Sequence, residues 1–157
     1  MDTIAYHSGN KSLIDEVKPL WQELNRHLLC LSPYFKEYYE TLTFEDRKRV
    51  ILQRTLEGGD LRVDLALDAE VIVGYCVSSI DRLLTGEIDS IYVNERYRGQ
   101  GIGAALMGKA LAWLNIKGAK KNIVSAAVGN EQVYGFYAHF GFLPRRTMLE
   151  QKKTATS

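Results

Sequence analysis

The chain reads as a mixed α/β (α+β) fold, an antiparallel N-terminal sheet joined to a parallel central strand pair and flanked by about four helices. Three observations predict it. The strand-like runs Leu61 to Leu67, Val71 to Ser79 and Glu87 to Val93 follow one another with no helix between them, so they pair antiparallel. An apolar-striped helix from about Gly101 to Lys117 then leads into Asn122 to Val128, which a right-handed crossover sets parallel to the run at 87–93. The 157 residues fit one domain, 1–157, large enough to bury a core without disulfides or metals.

Taken in order, Thr3 to His7 is a first or edge strand ended by Ser8-Gly9-Asn10. From Ser12, the residues Leu13, Ile14, Val17, Leu20, Trp21 and Leu24 recur at helical spacing, with Asp15 and Glu16 near the positive dipole end. Pro19 either kinks this helix or opens its regular part. Ser32-Pro33 offers an N-cap and a first-turn proline to a second helix through Tyr34-Phe35-Lys36-Glu37-Tyr38-Tyr39, whose aromatics read as core packed on the sheet. Thr43 with Asp46 starts a further helix through Val50, Ile51 and Leu56, stopped at Gly58-Gly59. Asp68-Ala69-Glu70 closes a hairpin, and Asp81 to Gly86 is a longer turn into the central strand. The long helix carries Ile102, Leu106, Ala110, Trp113 and Leu114 on one stripe, widened by Met107 and Leu111. Gly118-Ala119 ends it. Glu131 to His139 is a short helix, Gly141 to Leu149 a final strand, and Lys152 to Ser157 a frayed tail.

Composition narrows the function classes. With 20 basic against 19 acidic residues and a formal charge of +1, no net field draws the protein to nucleic acid or to a membrane surface. Cys30 and Cys76 lie far apart in apolar surroundings without metal-ligand spacing, and read as reduced core residues. No apolar run approaches transmembrane length, and MDTIAYHSG has neither a basic n-region nor an apolar h-region, so the expected location is cytoplasmic. His7, His27 and His139 have no metal-ligand spacing, and no metal site is expected.

The stretch with chemistry in it is GEIDSIYVNERYRGQGIGAAL, Gly86 to Leu106. Simple alternation sets Ile88, Ser90 and Tyr92 on one strand face and Glu87, Asp89, Ile91 and Val93 on the other, so two carboxylates share a face. After a charged turn comes Arg98-Gly99-Gln100-Gly101-Ile102-Gly103-Ala104, whose alternate glycines remove the Cβ atoms that would hold an anion off the backbone. The helix begins at about Gly101. Its unpaired amides and positive dipole end make a pyrophosphate site, with Arg98 as a charge at the rim.

Arg98-x-x-Gly101-x-Gly103 after a strand resembles the acetyl-CoA signature of the GNAT superfamily of N-acetyltransferases. Asn130 to Phe142, NEQVYGFYAHFGF, resembles that family's second motif, Asn-x-x-Ala-x-x-Phe-Tyr-x-x-x-Gly-Phe, with Val133 in place of the alanine. Glu95 stands where the family commonly has proline. The resemblance implies a splayed sheet of six to seven strands, with the thioester of acetyl-CoA in the splay and the acyl group passed directly to a primary amine of a small molecule or peptide. Pantetheine would pair with the main chain of Ile91 and Val93 beside Tyr92, as an added strand does. Asn130 would offer that arm a donor and an acceptor, and Val133 and Phe136 would flank it. The acceptor amine, with a pKa near ~10.4, arrives protonated and needs a base. By position in its strand Glu87 matches the family's general base, and Asp89, two residues on, is the rival. Tyr137 matches the tyrosine that protonates the departing thiolate. The family also brings the helical region around Tyr34 to Tyr39 to the acceptor pocket, a second reading of those aromatics, and leaves a homodimer open.

Other readings of the same residues are weaker. Gly99-x-Gly101-x-x-Ala104 satisfies a dinucleotide fingerprint, but a charged turn separates it from its strand and the preceding strands are antiparallel. GAALMGK, Gly103 to Lys109, mimics a P-loop, yet Ala110 replaces the Mg²⁺-holding Ser/Thr and the segment is helix. From a different class, a non-catalytic acyl-CoA sensor would keep the glycine loop but would need neither Glu87 nor Tyr137. The acceptor's identity is not written in the sequence.

Overall fold

The computed structural model of the chain describes residues 3–153. Five helices are present: α1 (Lys18–Leu31), α2 (Lys36–Thr41), α3 (Phe44–Arg54), α4 (Ile102–Ile116) and α5 (Tyr134–Ala138). Single 3₁₀ segments precede α1, α4 and α5, at Lys11–Val17, Glu95–Tyr97 and Glu131–Val133. Five strands, β1 (Ile4–Gly9), β2 (Asp60–Asp68), β3 (Val71–Ile80), β4 (Thr85–Val93) and β5 (Lys121–Val124), form one sheet in chain order. The first three pairings are antiparallel, and β5 runs parallel to β4 after the α4 crossover.

Helices cover both faces. Ile14, Val17, Leu20, Trp21, Phe44 and Ile51, from the first 3₁₀ segment, α1 and α3, are buried with Leu61, Val63, Leu65, Tyr75 and Val77. On the opposite face the α4 stripe of Ile102, Leu106, Met107, Ala110 and Leu114 is buried with Ala66, Val73, Cys76, Ile80 and Ile88. Each Ile, Leu, Val, Met or Phe among them contributes about 1.5–3 kcal/mol by leaving water, which fixes α4 and its N-terminus against the sheet.

Among the described residues the strands number five and not six to seven, and the helices five and not about four. Gly141 to Leu149 forms no strand: residues 142–153 carry no regular structure, with Leu143, Met148 and Leu149 76%, 81% and 90% exposed. Pro144 has no N–H for a ladder, and β5, reduced to four residues, offers a short edge. Strand β5 stops at Val124 and not Val128. Gly129 (φ 101°) then passes so close to the Leu31 carbonyl at the end of α1 that a Cβ would collide with it. The second helix starts at Lys36, because Ser32 closes α1 through its N–H to the Leu28 carbonyl (2.9 Å) and the residue before a proline is held extended. Pro19 sits in the first turn of α1 and opens the regular helix. Cys30 is exposed and not a core residue, whereas Cys76 is buried.

Helix α3 begins with a full capping box. The Asp46 N–H donates to Thr43 Oγ1 (3.1 Å) and the Thr43 N–H to Asp46 Oδ2 (3.3 Å). Thr43→Ala is expected to lower stability by about 1 kcal/mol, read as a lower urea midpoint with an unchanged m value.

Candidate functional site

Strand β4 departs from regular alternation at one residue. Val77 of β3 lies opposite Ser90 and the next residue, Ser78, opposite Ile88, so Asp89 is an extra residue in a β-bulge. The expected single face of Glu87, Asp89, Ile91 and Val93 is therefore corrected. Ile88, Ile91 and Val93 pack toward α4. Glu87 reaches Arg54 of α3, Ser90 hydrogen-bonds the Tyr75 hydroxyl (2.7 Å), and Tyr92 joins the α1/α3 side of the core.

Glu87 and Asp89 do both face α3, but in different states. The Glu87 Oε2 is 2.9 Å from Arg54 Nε, and both groups are partly exposed. The Asp89 side chain is fully buried, with the Ser79 hydroxyl of β3 as the neutral group that favours its charge. Burial, and after it the neighbouring Glu87 charge, push its carboxyl up to about 7. Arg47 Nη2 donates to the Asp89 main-chain oxygen (2.6 Å) and pins the bulge.

Arg47 and Arg54 were not among the residues read from the sequence as site candidates. Their spacing of seven puts them on one face of α3 with Ile51, a pattern that reads as ordinary amphipathicity until the helix is docked.

The β4–β5 ladder ends at Ile88↔Val124. Beyond it the two strands part. The Asn94 N–H donates to Val73 on the β3 side, so by strand alternation the main chain of Val93 and of Ile91 faces the gap. The Val93 carbonyl there accepts from Arg98 Nε (3.0 Å), and the Arg98 guanidinium lies 5.3 Å over the Tyr92 ring. Arg98 is thus folded back on β4.

A cavity of about 240 Å³ opens at the N-terminus of α4, lined by Val93, Tyr97, Arg98, Gly99, Gly101, Ile102, Gly103, Ala104 and Phe136. Gln100 is exposed in the loop. Gly99 (φ 78°) and Gly101 (φ 81°) take left-handed backbone, and a Cβ on either meets nothing within 4 Å. The helix ladder starts with Ala105 N–H to Gly101 O (3.0 Å), leaving the amides of Ile102, Gly103 and Ala104 outside it. Open space, glycine backbone and free amides fit a pyrophosphate. The loop is braced from below by Tyr97 Oη, which donates to Asp68 Oδ2 (2.7 Å).

From the other side, the C-terminal motif approaches along α5. Asn130 is nearly buried, and its Oδ1 accepts from Gln132 (2.6 Å). Val133 N–H donates to Asn130 O (3.2 Å). Phe136 stands 3.5 Å from where a Cβ on Gly103 would be. Tyr137 packs with Phe136 and Phe142 among the α4-side residues, where burial pushes its phenol up to about 12. Tyr137 and Asp89 thus approach β4 from opposite faces of the sheet.

Among the described residues, no group of three or more His, Cys, Asp or Glu is placed to hold a metal ion, and no helix is long and apolar enough to cross a membrane.

Comparison with known proteins bears on this geometry. The family model described as "Acetyltransferase (GNAT) family" matches residues 21–142. An N-acetyltransferase of Methanocaldococcus jannaschii, named as uncharacterized, is 33% identical over 66 residues, 42% of this chain and 29% of that protein. N-alpha-acetyltransferase 30 of Schizosaccharomyces pombe is 32% identical over 82 residues, 50% of this chain and 55% of that protein. The chain therefore matches about a third and about half of the length of these curated relatives. The aminoglycoside N-acetyltransferase AAC(6')-Iy, solved in complex with CoA, shares the fold with a TM-score of 0.63 at 17% identity, over 96% of this chain and 100% of that one.

Proposed function

Because the chain belongs to the acetyltransferase (GNAT) family, we propose that it is an N-acetyltransferase that moves an acetyl group from acetyl-CoA directly to a primary amine of a small molecule or a peptide. The observation that supports this most is the parting of β4 and β5 after Ile88, which opens beside the free amides of α4 and next to a buried carboxylate on the same strand. By name, the Schizosaccharomyces pombe relative is an N-alpha-acetyltransferase and AAC(6')-Iy an aminoglycoside N-acetyltransferase. Unpaired Cys30 and Cys76 accord with a reducing, cytoplasmic setting.

The residues at hand fit the cosubstrate. Ile102, Gly103 and Ala104 would hold the pyrophosphate through main-chain N–H groups, and Ile91 and Val93 would meet the pantetheine amides. Arg98 would leave the Val93 carbonyl for a phosphate. Acetyl-CoA supplies an activated acyl group, so the protein's tasks are to orient the amine, take its proton and assist the leaving sulfur. A carboxylate of the Glu87/Asp89 pair takes the proton. The new bond joins nitrogen to the acetyl carbon, the carbon–sulfur bond breaks, and the second proton shed by the attacking nitrogen neutralises the departing thiolate.

Tyr137 would be the donor to that sulfur. A phenol raised to about 12 stays protonated throughout the neutral range, so it is always able to donate. It is also a far weaker acid than a thiol, whose ordinary pKa is about 8.5, so its help is a hydrogen bond to the developing thiolate more than complete transfer. Such a bond is worth about 1.5–3 kcal/mol, and Tyr137→Phe should lower kcat by ~10–100-fold while CoA affinity and folding persist. Stopped-flow thiol detection checks this.

The proposal as a whole is tested by incubating the protein with acetyl-CoA and a panel of polyamines, aminoglycosides, amino acids and peptides with free N-termini, and measuring free thiol and acetylated product. Amine-dependent thiol release is expected. Calorimetric CoA binding with no release across the panel would favour the sensor reading instead.

A further inference from the structure

We propose that Glu87 is the counter-charge that keeps the Arg54 guanidinium from neutralising Asp89, and that Asp89 is the residue that takes the amine's proton; the catalytic part of this rests on the acetyltransferase reading above. Glu87 would then be a positioning residue.

The geometry around Arg54 carries the argument. Its Nε is 2.9 Å from Glu87 Oε2 but 3.9 Å from Asp89 Oδ1, so the ion pair is made with the partly exposed carboxylate and not with the buried one. Arg54 is also tied by Nη2 to the Thr85 carbonyl (3.3 Å), by Nε to the Ser79 hydroxyl (3.3 Å) and more loosely by Nη1 to Asp81 (3.8 Å). Those ties hold it beside Asp89 whether or not Glu87 is charged. A fully buried carboxyl is in an unfavourable place for its charge even with the Ser79 hydroxyl beside it, and a direct ion pair with this guanidinium would relieve it further. Glu87 occupies it.

The other groups facing Asp89 leave that balance in place. Arg47, from α3, donates to the Asp89 main-chain oxygen and its charge, like the Ser79 hydroxyl of β3, favours the ionised carboxyl without outweighing burial, while the Cys76 thiol is held protonated by burial. The consequence is a carboxyl that releases its proton close to neutrality, as a base working on an ammonium at neutral pH requires. Glu87, paired with a guanidinium, is the weaker base of the two.

The test reads the charge balance directly and the catalysis separately. In ¹³C-labelled protein, the Asp89 carboxyl resonance is titrated in the wild type, Glu87→Gln, Arg54→Gln, Arg54→Lys and the Glu87→Gln/Arg54→Gln double variant. Removing Glu87's charge frees Arg54 for Asp89, so the titration should move down by about one to three pH units. Removing Arg54's charge should move it up, Arg54→Lys should stay near the wild type, and the double variant should return toward it. With an amine found by the panel, the acid limb of kcat/KM should follow the same order. An Asp89 titration that is the same in Glu87→Gln as in the wild type would overturn the proposal. So would loss of the acid limb in Glu87→Gln with its survival in Asp89→Asn, which would make Glu87 the base. A wild type that titrates as described but acetylates nothing would instead remove the enzyme reading.

Discussion

Asp89→Asn should lower turnover at pH 7 by ~10²–10⁴-fold, the range for loss of a general base, with CoA affinity unchanged. Activity should recover in part as pH approaches the amine's own pKa, where free base is present without help. The same substitution has a second signature, in stability. In the folded protein the Asp89 carboxyl is raised by burial to about 7 from an ordinary value of 3.8, so between those limits the folded state keeps a proton that the unfolded chain has released. Stability therefore falls as pH rises through that window, and the full penalty is present above it. Asparagine carries no such charge. The difference in Tm between variant and wild type should thus move in the variant's favour from pH 4 to pH 8, measured by calorimetry at matched ionic strength. A variant slower in turnover yet relatively more stable at high pH is what a functional, buried acid predicts. A pH-independent difference in Tm would mean that residue 89 carries no titrating penalty.

Gly101→Val should abolish CoA binding. Two causes act together. The φ of 81° is a left-handed conformation that costs a residue with a Cβ about 1–2 kcal/mol, and a β-branched one more. A valine there would also project into the space above the free amides of α4, where the pyrophosphate would lie. Affinity by calorimetry should fall at least ~100-fold, which corresponds to about 2.7 kcal/mol. Gly108→Ala is the matched control. Gly108 lies within α4, exposed, with nothing within 4 Å of an added Cβ, so alanine should leave CoA affinity alone and stabilise the helix by about 0.5–1 kcal/mol. Equal CoA affinity in Gly101→Val and wild type would remove the pyrophosphate from this loop.

What could be read in the sequence was what is local. The glycine loop, the α4 stripe from Ile102 to Leu114, the Thr43 cap and the antiparallel succession of β2, β3 and β4 each follow from neighbouring residues, and each is present. The failures have a common cause, since they depend on a partner elsewhere in the chain. The bulge at Asp89 exists only in the register between β3 and β4, so alternation counted along one strand assigned Ile91 and Val93 to the wrong side. Residues 141–149 have strand-like composition, but a strand also needs an edge to pair with. Arg54 became a site residue through contacts with Asp81, Thr85 and Glu87, which lie 27 to 33 positions away, and nothing in α3 itself marked it.

The extra residue in β4 makes the length of that strand a requirement in its own right. A chain lacking residue 89 would have an unbroken β3–β4 ladder, with Ile88 and Ser90 as consecutive neighbours opposite Ser78 and Val77. Its apolar side would be regular again and its sheet flatter, because bulges add local twist. It would also have lost the one carboxyl held out of water beside the parting of the strands, and no substitution at positions 88 or 90 could restore it, since those side chains point to the α4 core and to the Tyr75 hydroxyl. Deletion and replacement at this position are therefore different experiments, one repairing the sheet while the other preserves its break.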